Sequence, residues 1–325
     1  MTGWVVNDTL SPLPGQHTIF SDLLRWFSDL RELTNSGLYC GLPERVEFEF
    51  QKTPVAMRPD YIIRNATYFR PLRFEIPTVS FLQDVAFGLE RVQQIDVCRR
   101  STKVVTNSDF TASEYPELDD VEVIPIGVDT ERFRPSPISP TALQRKWGIL
   151  PDSICFVGSG HHVKGFQLLV NLIANTRLNY CLVFKDDQRV ENPRVRCFNR
   201  LNPDELAEVM SACVAGICTS LRETQHMAGL EMGMCGLPLL TTNVGAYWNR
   251  ESGPWGMSVE DFELLKALPA WMKVAVECDL AQRRAEARSY WINEGFTQKA
   301  CRDRWAAVLD SVVRRGSGGG TSEGV

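Results

Sequence analysis

Short apolar runs alternate with longer segments whose apolar residues recur every three or four positions, from Trp4 nearly to the C-terminus. Runs at 4–6, 60–65, 77–82, 153–157, 180–184, 194–198, 213–219 and 238–242 predict buried strands, and the alternating stretch 44–50 predicts another. Helical spacing predicts helices at 17–33, 141–147, 166–175, 203–211, 225–235, 259–272, 279–291 and 297–315. Strand followed by helix, repeated in two halves, favours an α/β chain of two doubly wound, Rossmann-like domains with a cleft between them. The proline-rich stretch 135–140, Pro-Ser-Pro-Ile-Ser-Pro, marks the boundary. The Gly/Ser-rich stretch 316–325 predicts a disordered tail.

Composition narrows the function classes. A chain of 325 residues is comfortable for two cores, and 44% hydrophobic and 23% charged residues are ordinary for a soluble protein. The net charge of -5 argues against a nucleic-acid partner held by a general basic surface. The first residues lack a signal-peptide pattern and no apolar run is long enough to span a bilayer, so a cytoplasmic location is expected. Ten cysteines are scattered without a C-x-x-C pair, which suits reduced buried thiols. The histidines at 17, 161, 162 and 226 have no metal-ligand spacing, and Asp186-Asp187 reads as a strand-end turn, so no metal site is expected.

The most informative stretch is 220–242, S-L-R-E-T-Q-H-M-A-G-L-E-M-G-M-C-G-L-P-L-L-T-T. An apolar strand precedes it, a helix fills its middle, Gly236 is placed for a left-handed cap, and Pro238 opens the next strand. Amides of His226, Met227 and Ala228 at the start of that helix would favour an anion, since the first turn has unpaired donors and the positive end of the dipole. Glu223 and Glu231 repel phosphate and suit neutral hydroxyls instead. Phosphate on amides between two hydroxyl acceptors is the requirement of a nucleotide-sugar.

Ser220, Glu223, Glu231, Met232, Gly236 and Pro238 resemble the pattern of retaining glycosyltransferases of the GT-B fold, family 4 type (glycosyl transferases group 1), with Gln225-His226 in place of Phe-Gly. The run Ile124-Pro-Ile-Gly-Val-Asp-Thr-Glu-Arg-Phe-Arg-Pro resembles the family's I-P-N-G-V-D-x-x-x-F-x-P, with Ile126 for Asn. There Gly127 is expected in a positive-φ turn and Phe133 in a core. The turn after 153–157, Gly158-Ser-Gly-His-His-Val-Lys-Gly, resembles G-R-x-x-x-x-K-G, with Ser159 where the family has a phosphate-binding arginine.

The resemblance implies several roles. Lys164, Gly158 and Ser159 lie at the diphosphate, Glu223 at the donor sugar and Glu231 at the ribose. Gly15-Gln16 occupies the place of a glycine loop facing the donor, and Gln83, before Asp84, stands where the family carries a histidine near the reacting carbon. The domains implied are 1–135, completed by the helix 297–315, and 136–296. The function implied is transfer of a sugar from a UDP- or GDP-linked donor, without metal or other cofactor, to a glycan, small molecule, protein or modified nucleic acid base. The substituted Arg, His and Phe-Gly positions keep open an inactive GT-B module that binds a sugar nucleotide or a partner without turnover. The arginines at 58, 64, 70, 73, 91, 99 and 100 form either solvated surface or an acceptor face.

Overall fold

The structure is a computed structural model that describes residues 2–6, 19–28, 30–32, 43–65, 70–277 and 279–317. The chain divides into two compact units, Met1–Pro125 with Cys301–Val325, and Ile126–Ala300.

The first unit contains β1 (Gly3–Val6), α1 (Ile19–Trp26), β2 (Leu30–Glu32), α2 (Pro43–Lys52), β3 (Tyr61–Asn65), β4 (Thr78–Leu82), α3 (Gly88–Arg99), β5 (Lys103–Thr106), α4 (Asp109–Ser113) and β6 (Val121–Val123). Its six strands lie in the order β2-β1-β3-β4-β5-β6, all parallel. Two sequence expectations fail here. The predicted helix 17–33 stops at Trp26, and Leu30–Glu32 pairs with β1 as an edge strand. The predicted strand 44–50 is helix α2. Its alternation misleads because Phe48 is 52% exposed, while Val46, buried, and Phe50 sit four apart on one helical face with Trp4 and Ile62.

The second unit contains α5 (Pro140–Trp147), β7 (Ile154–Gly158), α6 (Phe166–Asn175), β8 (Tyr180–Phe184), β9 (Val195–Asn199), α7 (Pro203–Ala212), β10 (Ala215–Cys218), α8 (Met227–Met234), β11 (Leu239–Thr242), β12 (Gly256–Val259), α9 (Leu264–Glu277) and α10 (Leu280–Asn293). Strand order is β12-β11-β10-β7-β8-β9, again parallel throughout. The central strands read as continuous apolar runs because helices cover both faces, with separate buried clusters on the two sides. The start of the predicted helix 259–272 is different: Gly256–Val259 is the edge strand β12, and the helix begins at Leu264.

The break between units falls at Pro125, ahead of the proline-rich stretch, because Val128 and Phe133 already belong to the second unit's core. Val128 N donates to Phe296 O at 2.9 Å and Gln298 N to Val128 O at 3.2 Å. That pairing, not a positive φ, is why Gly127 is glycine: a Cβ there would overlap Thr297 O and the Gln298 backbone. The last helix, α11 (Gln298–Ser317), starts at this pairing and continues through Gly316 and Ser317, which the sequence places in the tail. In the first unit its Trp305 packs edge-on against Phe81 of β4, ring centroids 5.8 Å apart. Among the described residues no helix is long and apolar enough to cross a membrane.

Candidate active site

The sheet of the second unit reverses its strand order between β7 and β10, which pair directly through Ile154–Ala215 and Cys155–Gly216. Loops leaving the carboxyl ends of two such strands diverge to opposite faces and leave room for a ligand. Lys164 follows β7 and Glu223 follows β10, so both fall at this switch point.

Three contacts hold the two loops together. Leu221 N donates to Val163 O at 2.8 Å, and Thr219 Oγ1 donates to Lys164 O at 3.0 Å. The Lys164 ammonium then pairs with Glu223 Oε1, which also accepts from Ser220 Oγ at 3.1 Å. Gly165 makes the approach possible. It sits at φ 66°, and a Cβ there would overlap Thr219 O. The lysine side chain is 38% exposed and the carboxylate 13%, so the cation has room to move and the carboxylate is held.

Helix α8 begins beside Glu223. His226 is its N-cap at φ 66°, and its Nδ1 accepts from Gly229 N at 3.1 Å. Gly229 is needed because a Cβ would overlap the Tyr247 hydroxyl. With the Gly229 amide taken, Met227 and Ala228 present the end amides of the helix, both half-buried. The other end closes as expected: Gly236 has φ 84°, Gly236 N donates to Gly233 O at 2.9 Å and Leu237 N to Met232 O at 3.0 Å. Glu231 is half-buried on this helix.

Burial holds the His226 imidazole below its usual pKa of 6.5, with Lys164 adding to the shift and Glu223 opposing it. The folded chain therefore binds fewer protons than the unfolded chain just below that pH, and stability falls as pH drops through it. Asn tolerates a left-handed φ and caps helices well. We expect His226→Asn to lose less stability than wild type between about pH 7.5 and about pH 5.5. Equal shifts of the urea midpoint in both proteins would show that this histidine is not the acid-sensitive group.

Comparison with known proteins places this architecture. Neither a protein-family model nor a curated protein sequence matches the chain. Solved structures do. Anabaena HepE, crystallised with UDP, is 16% identical with TM-score 0.70, over 96% of this chain and 100% of its own. Sucrose-phosphate synthase from Thermosynechococcus elongatus is 15% identical with TM-score 0.68, over 84% of this chain and 77% of its own. WaaG, a glycosyltransferase of lipopolysaccharide biosynthesis, is 15% identical with TM-score 0.63, over 95% and 99%. The chain has the GT-B fold.

Within this GT-B chain the departures from the sequence pattern have visible consequences. Gln225 is buried, and its amide clamps the backbone of Ile126, Nε2 donating to Ile126 O and Oε1 accepting from Ile126 N, both at 2.8 Å. Two of the positions where the sequence departs from the resembled pattern, Gln225 and Ile126, thus meet each other. Ser159, in the arginine's place, is half-buried with its Oγ accepting from His161 N at 3.4 Å. Asp186, read from sequence as a turn residue, reaches across from β8 and accepts from Gly160 N at 3.0 Å. No motif signals that contact. Gly158 ends β7, its carbonyl accepting from Lys185 N at 2.9 Å. His161 Nδ1 accepts from Val163 N at 3.3 Å, and His162 is exposed.

Gln83 belongs to the first unit, half-buried after the carboxyl end of β4. Gly15 and Gln16 lie outside the described residues. Among the arginines of the first unit, Arg70 pairs with Glu44 and Glu47, Arg91 with Glu117, and Arg100 with Asp96. Arg58 lies over the Phe50 ring at 4.7 Å.

Proposed function

We propose that this chain is a retaining glycosyltransferase that uses a nucleotide-sugar donor, with UDP the preferred nucleotide. The observation that carries the reading is the Lys164–Glu223 pair at the β7–β10 switch point, beside the open N-terminus of α8. A mobile cation, two helix-end amides and a held carboxylate supply what a diphosphate followed by a sugar requires. HepE, of similar fold, was crystallised with UDP and with UDP-glucose, which supports UDP over GDP.

In this reading Glu223 neutralises Lys164 until the donor arrives. The diphosphate draws the ammonium away, and Glu223 then accepts a hydroxyl of the donor sugar. As the bond from the anomeric carbon to the diphosphate oxygen breaks, Lys164 and the amides of Met227 and Ala228 stabilise the departing charge. The acceptor oxygen bonds to the same face of the sugar, and its proton leaves with the nucleoside diphosphate. Gly158 and Ser159 border the phosphates, His226 fixes the helix end, and Gln83 serves the acceptor side. Glu231 holds the ribose hydroxyls. The positive groups take the role of a divalent ion, so no metal is required. The acceptor is a glycan, small molecule, protein or modified nucleic acid base.

Calorimetry with UDP tests the division of labour. Glu231→Ala is expected to weaken UDP binding about tenfold or more, the loss of one hydrogen-bonded charged contact of roughly 1.5–3 kcal/mol. Glu223→Ala is expected to leave UDP affinity nearly unchanged and to depress transfer. Unchanged affinity in Glu231→Ala would sink the ribose assignment.

A second reading has one observation in its favour. Asp186 occupies the Gly160 amide in the turn proposed to face the phosphates, and a carboxylate there repels them. An inactive module that binds sugar nucleotide without turnover would tolerate this. Sustained donor turnover by the purified chain excludes that reading.

A further inference from the structure

The turn that carries Lys164 uses its amides on itself. Lys164 N donates to His161 O at 3.0 Å and Gly165 N to His162 O at 2.8 Å. Val163 N donates to His161 Nδ1 at 3.3 Å, and His161 N to Ser159 Oγ at 3.4 Å. Gly160 N differs, because its acceptor comes from outside the turn, Asp186 Oδ2 at 3.0 Å with Oδ1 at 3.4 Å. An anion cradle needs successive amides that converge on the ligand, and amides committed in this way do not. The turn is better described as an arm whose geometry fixes where the Lys164 ammonium stands.

The loop after β8 holds that outside partner in place. Lys185 N donates to Gly158 O at 2.9 Å, which ties the loop to the start of the turn. Asn199, the last residue of β9, donates from Nδ2 to two of its carbonyls, Asp186 O at 2.5 Å and Gln188 O at 2.9 Å. The Gln188 side chain fills the space where a Gly160 Cβ would stand. Asp186 is half-buried, and among the described residues no lysine or arginine pairs with it; Arg200 pairs with the neighbouring Asp187. Its charge is met by one amide and by solvent. A carboxylate so placed does two things of opposite sign for an incoming diphosphate. It steadies the arm that carries the attracting cation, and it repels the anion directly.

We propose that Asp186 is a positioning residue of the donor site, which holds the Lys164 arm in register through Gly160 and, by its charge, keeps nucleoside diphosphate affinity low enough for the product to leave. The inference rests on the reading of this site as one for a nucleotide-sugar. It gives the Asp186–Gly160 bond a use in a working enzyme, where a merely tolerated contact would have none.

The test compares Asp186→Asn, Asp186→Ala and, as a charge control, Asp187→Asn in the full chain. Calorimetry with UDP and hydrogen exchange at the Gly160 amide are the two readouts. Asparagine keeps an acceptor for Gly160 N and removes the charge. Asp186→Asn is expected to bind UDP about fivefold more tightly than wild type at about 0.05 M salt, with the gain largely gone at about 0.5 M salt. Gly160 should stay as protected as in wild type. Asp186→Ala loses the acceptor as well, so Gly160 should exchange about tenfold faster or more, and UDP should bind less tightly than to Asp186→Asn. Asp187→Asn removes an exposed, paired carboxylate and is expected to change either readout by less than about twofold. Equal protection of Gly160 in Asp186→Ala and wild type overturns the proposal, as does UDP affinity in Asp186→Asn no higher than in Asp187→Asn. Absence of UDP binding in wild type is a different result: it sinks the donor reading, while the exchange rates still decide whether Asp186 holds the turn.

Discussion

Replacing Lys164 with alanine is expected to lower kcat about a hundred- to a thousandfold, the roughly 2.7–4 kcal/mol typical of removing one donor aimed at a developing anion. The fold should survive, since the Leu221 N–Val163 O bond and the bond from the Thr219 hydroxyl to Lys164 O, which join the two loops, do not use the ammonium. The same substitution leaves Glu223, only 13% exposed, without its cation, so a modest loss of stability accompanies the loss of rate. Lys164→Arg separates the effects. It restores the charge and the pairing with Glu223, and recovers stability more fully than turnover because the guanidinium delivers its donors in a different plane. Near-wild-type turnover in folded Lys164→Ala would remove this lysine from the mechanism.

The largest structural effect is expected at the next residue. Gly165→Ala must accept a left-handed φ, at about 1–2 kcal/mol, and an overlap with Thr219 O that forces the β7 and β10 loops apart, at about 1–3 kcal/mol more. Gly148→Ala in the same unit is the internal control. Its φ of 64° is nearly identical, yet a Cβ there would meet only the end of Arg196 at 3.9 Å, an ordinary contact. Urea unfolding should therefore show Gly165→Ala clearly less stable than Gly148→Ala. Donor binding should fail in the first and persist in the second. Equal destabilisation would mean that the loops tolerate separation and that their contact does not build the site.

Much of the fold is legible because the central strands are buried on both faces. Residues 180–184 read as an unbroken apolar run, and all five are buried in β8. The edges are harder. Leu30–Glu32 carries too little apolar pattern to stand out, and its strand conformation depends on pairing with β1. Residues 44–50 alternate as a strand would, but packing uses only every fourth position. The candidate site divides the same way. Lys164, Glu223 and the cap at Gly236 follow from local motifs, since turns and helix ends are written in nearby residues. The Asp186–Gly160 bond and the Gln225 clamp on Ile126 join residues 26 and 99 apart in sequence. Such partners are chosen by how strands stack, and neither sequence segment alone specifies the other.

The most direct measurement incubates the purified chain with UDP- and GDP-linked sugars in EDTA and follows release of the nucleoside diphosphate by mass spectrometry. Turnover of a UDP-sugar is expected, unaffected by EDTA, lowered about a hundred- to a thousandfold in Lys164→Ala and strongly reduced in Glu223→Ala. Binding of UDP with no turnover of any donor, across a panel of glycan, small-molecule and protein acceptors, would contradict it. Turnover that disappears in EDTA and returns with magnesium or manganese would falsify the part of it that assigns the leaving charge to Lys164 and the α8 amides alone.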